Sequence, residues 1–262
     1  MLVLKKLLIA VLVFLTLSMP IGVKALPPSR AEAEGQALLI SSLNATSPMG
    51  QYAHDVVYYL ERVGYNVTYL TDGAFTVDFL LNHLNQYSIV IWRTNTFTWV
   101  HTTYWFVGEK MNDGVEQEYA ADFAAGWIND NTGIVGVSPD FFLNHLGPNS
   151  LNNIKLMIFM ASDGNSLAPQ FLTAGVSTVI YCNGNINLAF GLVDDLSVQI
   201  LAYLTQGQDV YTAVYATVSP LNQYEQPEDN LDTTYAPPFW FTGNATLTIT
   251  SVIAAAGPIP RH

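Results

Sequence analysis

The stretch Lys155–Gly175, "KLMIFMASDGNSLAPQFLTAG", has the pattern of a strand, a sharp turn and a helix. Leu156–Ala161 is an unbroken apolar run of strand length, and Leu167–Ala174 is predicted as the helix. The strand ends on small polar residues, at the point where α/β enzymes commonly place a reactive group. Ser162 and Asp163 occupy that point, so the stretch predicts either an active site or the remnant of one.

The same alternation of strands and helices continues on both sides of this unit. Strands that alternate with helices at this interval form βαβ units, and continuous apolar strands indicate a parallel sheet covered on both faces. We therefore predict an α/β fold: a single three-layer domain with a mostly parallel sheet flanked by helices. The other predicted strands are Ala37–Ile40, Asn66–Leu70, Ser88–Trp92 and Ser177–Tyr181.

The alternation lapses between Arg93 and the central unit. Thr94–Lys110 is dense in threonine and aromatic residues, which predicts a hairpin or an aromatic flap after the third strand. The domain is expected to span residues 37–252, after a linker at 26–36 and before a tail at 253–262. Further helices are predicted over Val115–Trp127, Pro139–His145, Leu192–Leu204 and Val210–Val218, and a last strand over Ala245–Val252.

The first 25 residues have the layout of a secretory signal peptide. Two lysines in Met1–Lys6 precede the apolar run Leu7–Met19, and small residues follow at Val23–Ala25. The run is shorter than the roughly 20 residues that a spanning helix needs. We predict a signal peptide over residues 1–25 and an extracytoplasmic protein, secreted or at the cell surface. An uncleaved membrane tether through residues 7–23 is the alternative.

The charge balance excludes two classes of partner. Beyond residue 25 the chain keeps six basic residues against all 21 acidic ones, a net charge of about −15. Nucleic acids and anionic membranes are bound through lysine and arginine, so neither is expected as a partner.

The single cysteine, Cys182, cannot form an intrachain disulfide. Glycosylation sequons begin at Asn44, Asn66 and Asn244, although a chain rich in Asn and Thr also produces such triplets by chance.

Small hydrogen-bonding side chains follow three of the predicted strands. Arg93 and Asn95 come after the third strand, Ser162 and Asp163 after the fourth, and Asn183 after the fifth. The carboxyl ends of parallel strands meet at one edge of the sheet, where ligands bind in open α/β folds. Polar turns follow most strands, so each loop alone carries little weight, but the three together predict a pocket.

Several chemistries are excluded by missing motifs. The sequence has no glycine-rich dinucleotide or phosphate fingerprint, no H-E-x-x-H pair and no G-x-S-x-G elbow. The histidines lie far apart without metal-ligand spacing. We therefore expect neither a cofactor nor a metal.

Four stretches resemble the caspase-like superfamily (clan CD) of cysteine peptidases, in its CHAT, clostripain-like and gingipain-like branch. The resemblance covers Ala37 to Ile249. In that superfamily a histidine base follows the third strand and a cysteine nucleophile follows the fourth. The matching stretches are "YSIVIWRTNTF" (87–97), "LMIFMASDGNSLAPQFLTAGVSTVIYCNG" (156–184), "QDVYTAVYATV" (208–218) and "FTGNATLTI" (241–249).

The departures from the family pattern fall on its chemistry. The histidine position reads Asn95 and the cysteine position reads Ser162, so the general base and the thiolate are both missing. The resemblance then implies a protein that has lost peptidase activity and binds a peptide, a protein or a glycan at the cell surface. The binding residues would be Arg93, Asn95, Asp163 and Asn183, with Trp99, Tyr104 and Trp105 of the flap closing over the cleft.

Two other functions remain open at this point. An active hydrolase would keep Ser162 as nucleophile and use His101 as base, with backbone N–H groups near Gly164 as the oxyanion site. A glycosylated structural component of the cell envelope would suit the low charge and the Asn- and Thr-rich composition. The sequence does not indicate the ligand or the oligomeric state.

Overall fold

The computed structural model describes residues 35–42, 50–182, 190–222, 239–250 and 252. They all lie in one compact unit that spans residues 32–262. The predicted signal peptide and most of the linker lie outside the described residues. In chain order the elements are β1 (Gly35–Ser41), α1 (Gly50–Arg62), β2 (Tyr65–Thr71), α2 (Val77–Asn82), β3 (Ile89–Arg93), β4 (Thr96–Trp99), β5 (Thr102–Lys110), α3 (Asp113–Glu118), α4 (Ala120–Ala125), β6 (Ile128–Asn131), β7 (Ile134–Val137), α5 (Pro139–His145), β8 (Leu156–Met160), α6 (Gly164–Thr173), β9 (Thr178–Cys182), α7 (Phe190–Thr205), α8 (Val210–Asn222) and β10 (Phe239–Gly243).

Six strands form the main sheet, in the order β10-β9-β8-β3-β1-β2. The pairings among β2, β1, β3, β8 and β9 are parallel, and β10 pairs antiparallel to β9. Helices cover both faces of this sheet, and β3 and β8 are therefore buried at every position. The predicted three-layer α/β class with a mostly parallel sheet is confirmed.

Alternate side chains of the strands build two separate apolar layers. On one face Trp92, Phe159 and Phe171 pack edge to face, with ring centroids 5.1–6.4 Å apart. On the other face Ile91 and Ile158 lie beneath α1, α7 and α8. Both faces of the central strands therefore contribute to stability, as their continuous apolar runs predict.

A second, antiparallel sheet lies between β3 and β8 in the chain. Its order is β4-β5-β7-β6, so the aromatic segment after the third strand forms the β4–β5 hairpin of this sheet. The segment predicted as one helix over Val115–Trp127 is instead two short helices, α3 and α4. The break falls at Tyr119, and Gly126 ends α4 with a left-handed backbone at φ 73°.

The strand predicted over Ala245–Val252 is wrong. The last described strand is β10, and it ends at Gly243, whose φ of 100° turns the chain out of the sheet. The carbonyl oxygens of Ala245 and Leu247 then accept hydrogen bonds from the N–H groups of Tyr211 and Val210. These N–H groups belong to the first turn of α8 and have no partner within the helix, so the segment caps α8 instead of extending the sheet.

Candidate functional site at the carboxyl edge of the sheet

The ends of β1, β3 and β8 meet at one edge of the main sheet. The register places Ser41, Arg93 and Met160 side by side. Backbone hydrogen bonds continue past the strand ends, from Ser42 N to Arg93 O at 3.2 Å and from Thr94 N to Met160 O at 3.0 Å. The polar residues that follow these strands therefore lie close together, and backbone hydrogen bonds hold the strand ends in place.

Arg93 forms a buried, two-pronged ion pair with Asp194 of α7. Its Nε donates to Asp194 Oδ1 at 2.9 Å and its Nη2 donates to Oδ2 at 3.2 Å. The Arg93 side chain is 3% exposed and the Asp194 side chain 15%. Burial raises the pKa of the Asp194 carboxyl, Arg93 opposes that rise, and Asp195 adds to it. Arg93 was predicted to contact a ligand, but the structure places it in the floor of the site, where it orients Asp194.

The floor beside this ion pair is neutral. The Tyr52 hydroxyl donates to Met160 Sδ at 2.9 Å and accepts from Ser197 Oγ at 3.2 Å. Burial raises the pKa of Tyr52, which keeps the phenol protonated. Burial also raises the pKa of the Cys182 thiol, so this cysteine has none of the thiolate character that reactive cysteines need. The Ser41 hydroxyl is buried here without a hydrogen-bond partner among the described residues.

The two residues that the sequence resemblance aligns with a catalytic dyad lie at neighbouring strand ends. Asn95 and Ser162 each stand two residues beyond the paired residues Arg93 and Met160. The Asn95 side-chain oxygen accepts from Thr96 N at 2.9 Å, within its own turn. Ser162 is 3% exposed, and its carbonyl oxygen accepts from Trp105 Nε1 at 3.2 Å. The structure thus brings these two residues to one edge, but their carbonyl and amide groups serve to hold the turns.

The turn from β8 into α6 is as sharp as the opening stretch predicts. Asp163 has a left-handed backbone at φ 54°, and its carbonyl oxygen accepts from both Ser166 N and Ser166 Oγ. A Cβ on Gly164 would lie 2.7 Å from the Cys182 carbonyl oxygen, so α6 begins in direct contact with the end of β9. Asp163 is half-buried at this turn. Asn183, the remaining predicted binding residue, lies outside the described residues.

The aromatic residues of the β4–β5 hairpin have three different environments. Trp105 is fully buried, and Tyr104 is buried with its hydroxyl donating to Gly126 O at 2.7 Å. The expected closure of Tyr104 and Trp105 over the cleft is therefore wrong, because both rings pack inside the protein. Only Trp99 projects into solvent. His101 is exposed in the turn that follows, four residues or about 13 Å of extended strand from Trp105.

A groove opens between the first turns of α1 and the start of α7. Its volume is about 500 Å³, and three carboxylates, from Asp55, Asp194 and Asp195, belong to its lining. The sequence-based prediction did not include these aspartates as binding residues. Asp194 and Asp195 lie near the start of the helix that follows the fifth strand of the predicted sheet, which is an expected place for ligand-binding residues. The other lining residues are Gly50, Gln51, Tyr52, Gly191, Val198 and Gln199.

Two of the three sequon asparagines lie in the described part of the chain. Asn66 is exposed on β2 and its Nδ2 donates to Gln36 Oε1 at 3.0 Å. Asn244 is exposed after β10, and its Oδ1 accepts from Thr246 Oγ1 at 2.9 Å. Asn44 lies outside the described residues. Glycosylation at these sites stays a prediction.

Within the described residues, no three His, Cys, Asp or Glu side chains come together as a metal-binding group. None of the helices found there is long and apolar enough to cross a bilayer.

No protein-family model matches the sequence, and no curated protein matches it. Solved structures that match it include the following three. The Drosophila initiator caspase Dronc is 6% identical, with a TM-score of 0.45 over 84% of this chain and 83% of its own. A flavodoxin from the domain Archaea is 11% identical, with a TM-score of 0.30 over 65% of this chain and 99% of its own. A hypothetical protein, SMU.573 from Streptococcus mutans, is 11% identical, with a TM-score of 0.30 over 88% of this chain and 94% of its own.

Proposed function

We propose that this is a secreted or surface-tethered protein of caspase-like fold that has lost peptidase activity and binds a ligand at the carboxyl edge of its sheet. The observation that carries the proposal is the groove between α1 and α7. It adjoins the strand ends, has a volume of about 500 Å³ and is lined by Asp55, Asp194 and Asp195. A groove of this size accommodates one or two side chains of a peptide.

The electrostatics of the groove support a cationic ligand. Asp194 is partly neutralised by Arg93, whereas Asp195 is exposed on the same helix. Asp55 is held in place by Gln51 Nε2 at 2.7 Å. Oppositely charged partners are favoured at such a surface, so we propose a peptide segment that carries lysine or arginine. An acidic protein segment would be repelled by these carboxylates.

The absence of turnover is supported by the residues at the dyad positions. Asn95 has no group that accepts a proton near neutral pH. Ser162 is buried, and its carbonyl oxygen accepts a hydrogen bond from Trp105. The alternative base, His101, lies in the exposed turn at the other end of this strand segment, about 13 Å from Trp105 along the extended chain. A serine hydroxyl depends on an adjacent base for nucleophilic attack.

Binding is tested by calorimetry with two peptides of equal length, one containing lysine and arginine and the other glutamate. We expect the basic peptide to bind and the acidic one not to bind. Asp195→Asn should weaken binding of the basic peptide by about twofold to fivefold, the upper part of the range for one exposed charge pair. Asp140→Asn, the same charge change on exposed helix α5, is the matched control and should leave affinity unchanged.

Loss of activity is tested separately with a library of fluorogenic peptides. No hydrolysis is expected above the uncatalysed rate. Hydrolysis that Ser162→Ala and His101→Ala both abolish would establish the hydrolase instead. Equal affinity of the wild type and Asp195→Asn for the basic peptide would remove the groove from the proposal.

A further inference from the structure

The turn between β4 and β5 exposes two adjacent apolar side chains. Trp99 is 60% exposed and Val100 is 76% exposed, the highest values among the large apolar residues of the described chain. We name these two residues the Trp99–Val100 tip. It lies on a different element from the groove and on a hairpin that projects from the second sheet, so it does not depend on the proposed binding function.

The backbone of the tip has a conformation that its residues disfavour. Val100 has φ 46° and His101 has φ 68°, and the flanking residues Trp99 and Thr102 are paired. Two successive positive φ values in a two-residue hairpin define a type I′ turn, for which Asn-Gly is the preferred sequence. A β-branched residue such as valine is an outlier there.

The same sheet contains a second hairpin that avoids this strain at its second turn position only. The β6–β7 turn has the same two-residue geometry, with Thr132 at φ 57° and Gly133 at φ 78°. Glycine thus occupies the second position in one turn, whereas a histidine occupies it in the other. The fold itself does not require Val100 and His101, and a strained conformation that persists in an exposed turn points to a function of the side chains.

The hairpin below the tip is rigid. Phe97 stacks on Tyr104 with ring centroids 5.1 Å apart, and it also contacts Phe106 at 5.0 Å. The Tyr104 hydroxyl is anchored to Gly126 O. The tip is therefore held in position before it meets any partner, which reduces the entropy lost on docking.

The chemistry of the hairpin indicates the partner. Residues 94–107 contain no Asp, Glu, Lys or Arg, in a chain whose net charge is −12. Four threonines, at 96, 98, 102 and 103, flank the tip. Tryptophan is enriched where apolar and aqueous phases meet, because its ring is apolar and its N–H is polar. An uncharged, hydroxyl-flanked tryptophan fits the headgroup region of a neutral bilayer better than it fits a charged surface.

We propose that the Trp99–Val100 tip inserts into the headgroup region of a zwitterionic bilayer. The rest of the surface carries the negative charge, so anionic lipids would repel the protein while neutral lipids would not. Insertion removes Trp99 and Val100 from water, and the threonine hydroxyls remain at the depth of the headgroups. The contact would hold the domain in a defined orientation at a membrane surface.

The test uses the full chain with phosphatidylcholine vesicles that carry bromine on their acyl chains, which quench nearby tryptophans. The chain has five tryptophans, so the contribution of Trp99 is obtained by difference. The wild type and Trp240→Phe should both be quenched, whereas Trp99→Phe should lose the quenched component. Trp240 is the matched control because it is 44% exposed on β10, outside the hairpin.

A second variant keeps the proposal testable if Trp99→Phe folds poorly. Val100→Asn with His101→Gly provides the preferred turn sequence and should unfold at a higher temperature than the wild type. Bromolipid quenching of Trp99 should also be lost, because the variant removes Val100, one of the two apolar side chains that are proposed to insert. Quenching that is unchanged by Trp99→Phe would overturn the proposal, and so would protection of Trp99 by a second copy in the absence of vesicles.

Discussion

Replacing Arg93 by methionine should destabilise the protein by about 3 kcal/mol at pH 7. Breaking a buried ion pair by removing one partner costs about 3–5 kcal/mol, because the other charge stays buried without compensation. The lower end applies because the Asp194 side chain keeps 15% of its surface exposed. Methionine retains most of the aliphatic packing of Arg93, so the loss reports chiefly on the carboxylate.

The pH dependence of this loss follows from the pKa of Asp194. Burial already raises that pKa, and Arg93 opposes the rise, so removing Arg93 raises it further. A penalty of 3 kcal/mol corresponds to about two pKa units. A group whose folded-state pKa is raised destabilises the folded state only where it is ionised. The deficit of Arg93→Met should therefore be complete above the folded-state pKa and should disappear as the pH falls below the unfolded-state value of about 4.

Asp194→Asn is the matched variant, since it removes the carboxylate and keeps the buried guanidinium. The pH dependence of this cost is set by the wild-type carboxyl, whose raised pKa makes ionisation unfavourable in the folded state, so the cost of Asp194→Asn should not diminish as the pH falls. The assay is urea unfolding of wild type, both single variants and the double variant Arg93→Met/Asp194→Leu, at pH 7 and pH 4. The double variant should recover most of the lost stability. A cost of Arg93→Met below about 1 kcal/mol at pH 7, or an equal cost at both pH values, would refute the reasoning.

Three further substitutions test the core, the turn and a second carboxyl group. Phe171→Ala removes a fully buried ring from the aromatic layer and should cost about 3–5 kcal/mol in urea unfolding. Gly164→Ala forces a Cβ to 2.7 Å from the Cys182 carbonyl oxygen and should cost about 1–3 kcal/mol, whereas Gly147→Ala meets no atom within 4 Å and should change stability little. Burial raises the pKa of Glu109, so Glu109→Gln should be more stable than the wild type above that pKa and equal to it below the unfolded-state value of about 4, measured by thermal unfolding at pH 3 and 7.

The sequence patterns predicted the central strands and helices because the burial of each one can be recognised from the apolar residues within it. The run Leu156–Met160 is apolar at every position, and such a strand is stable only when both faces of its sheet are covered. The stop at Ser162-Asp163 then locates the edge of the sheet, and the structure places Arg93 and Asn95 at that edge as expected. The local sequence also predicted α5 to the residue, at Pro139–His145.

The predictions that were wrong concern segments whose local sequence is compatible with two structures. Only contacts with residues far away in the chain decide between the two. Ala245–Val252 alternates like a strand, but two of its carbonyls cap α8 and the adjacent Phe239–Gly243 pairs with β9. Tyr104 and Trp105 have the composition of a flap, but pairing with β4 and β7 places them in a sheet that is covered on both faces at these positions, so both side chains are buried. Neither outcome is encoded within a window of ten residues.

The sequence alone indicates an α/β chain with a negative net charge, and with a central strand that ends at the polar residues Ser162 and Asp163. The tertiary structure alone decided that Arg93 is neutralised by Asp194, 101 positions away, and that the acidic groove lies between α1 and α7. The reason is physical. Apolar periodicity reports on each element's own burial, whereas a charge acquires its partner only when the helices are placed on the sheet.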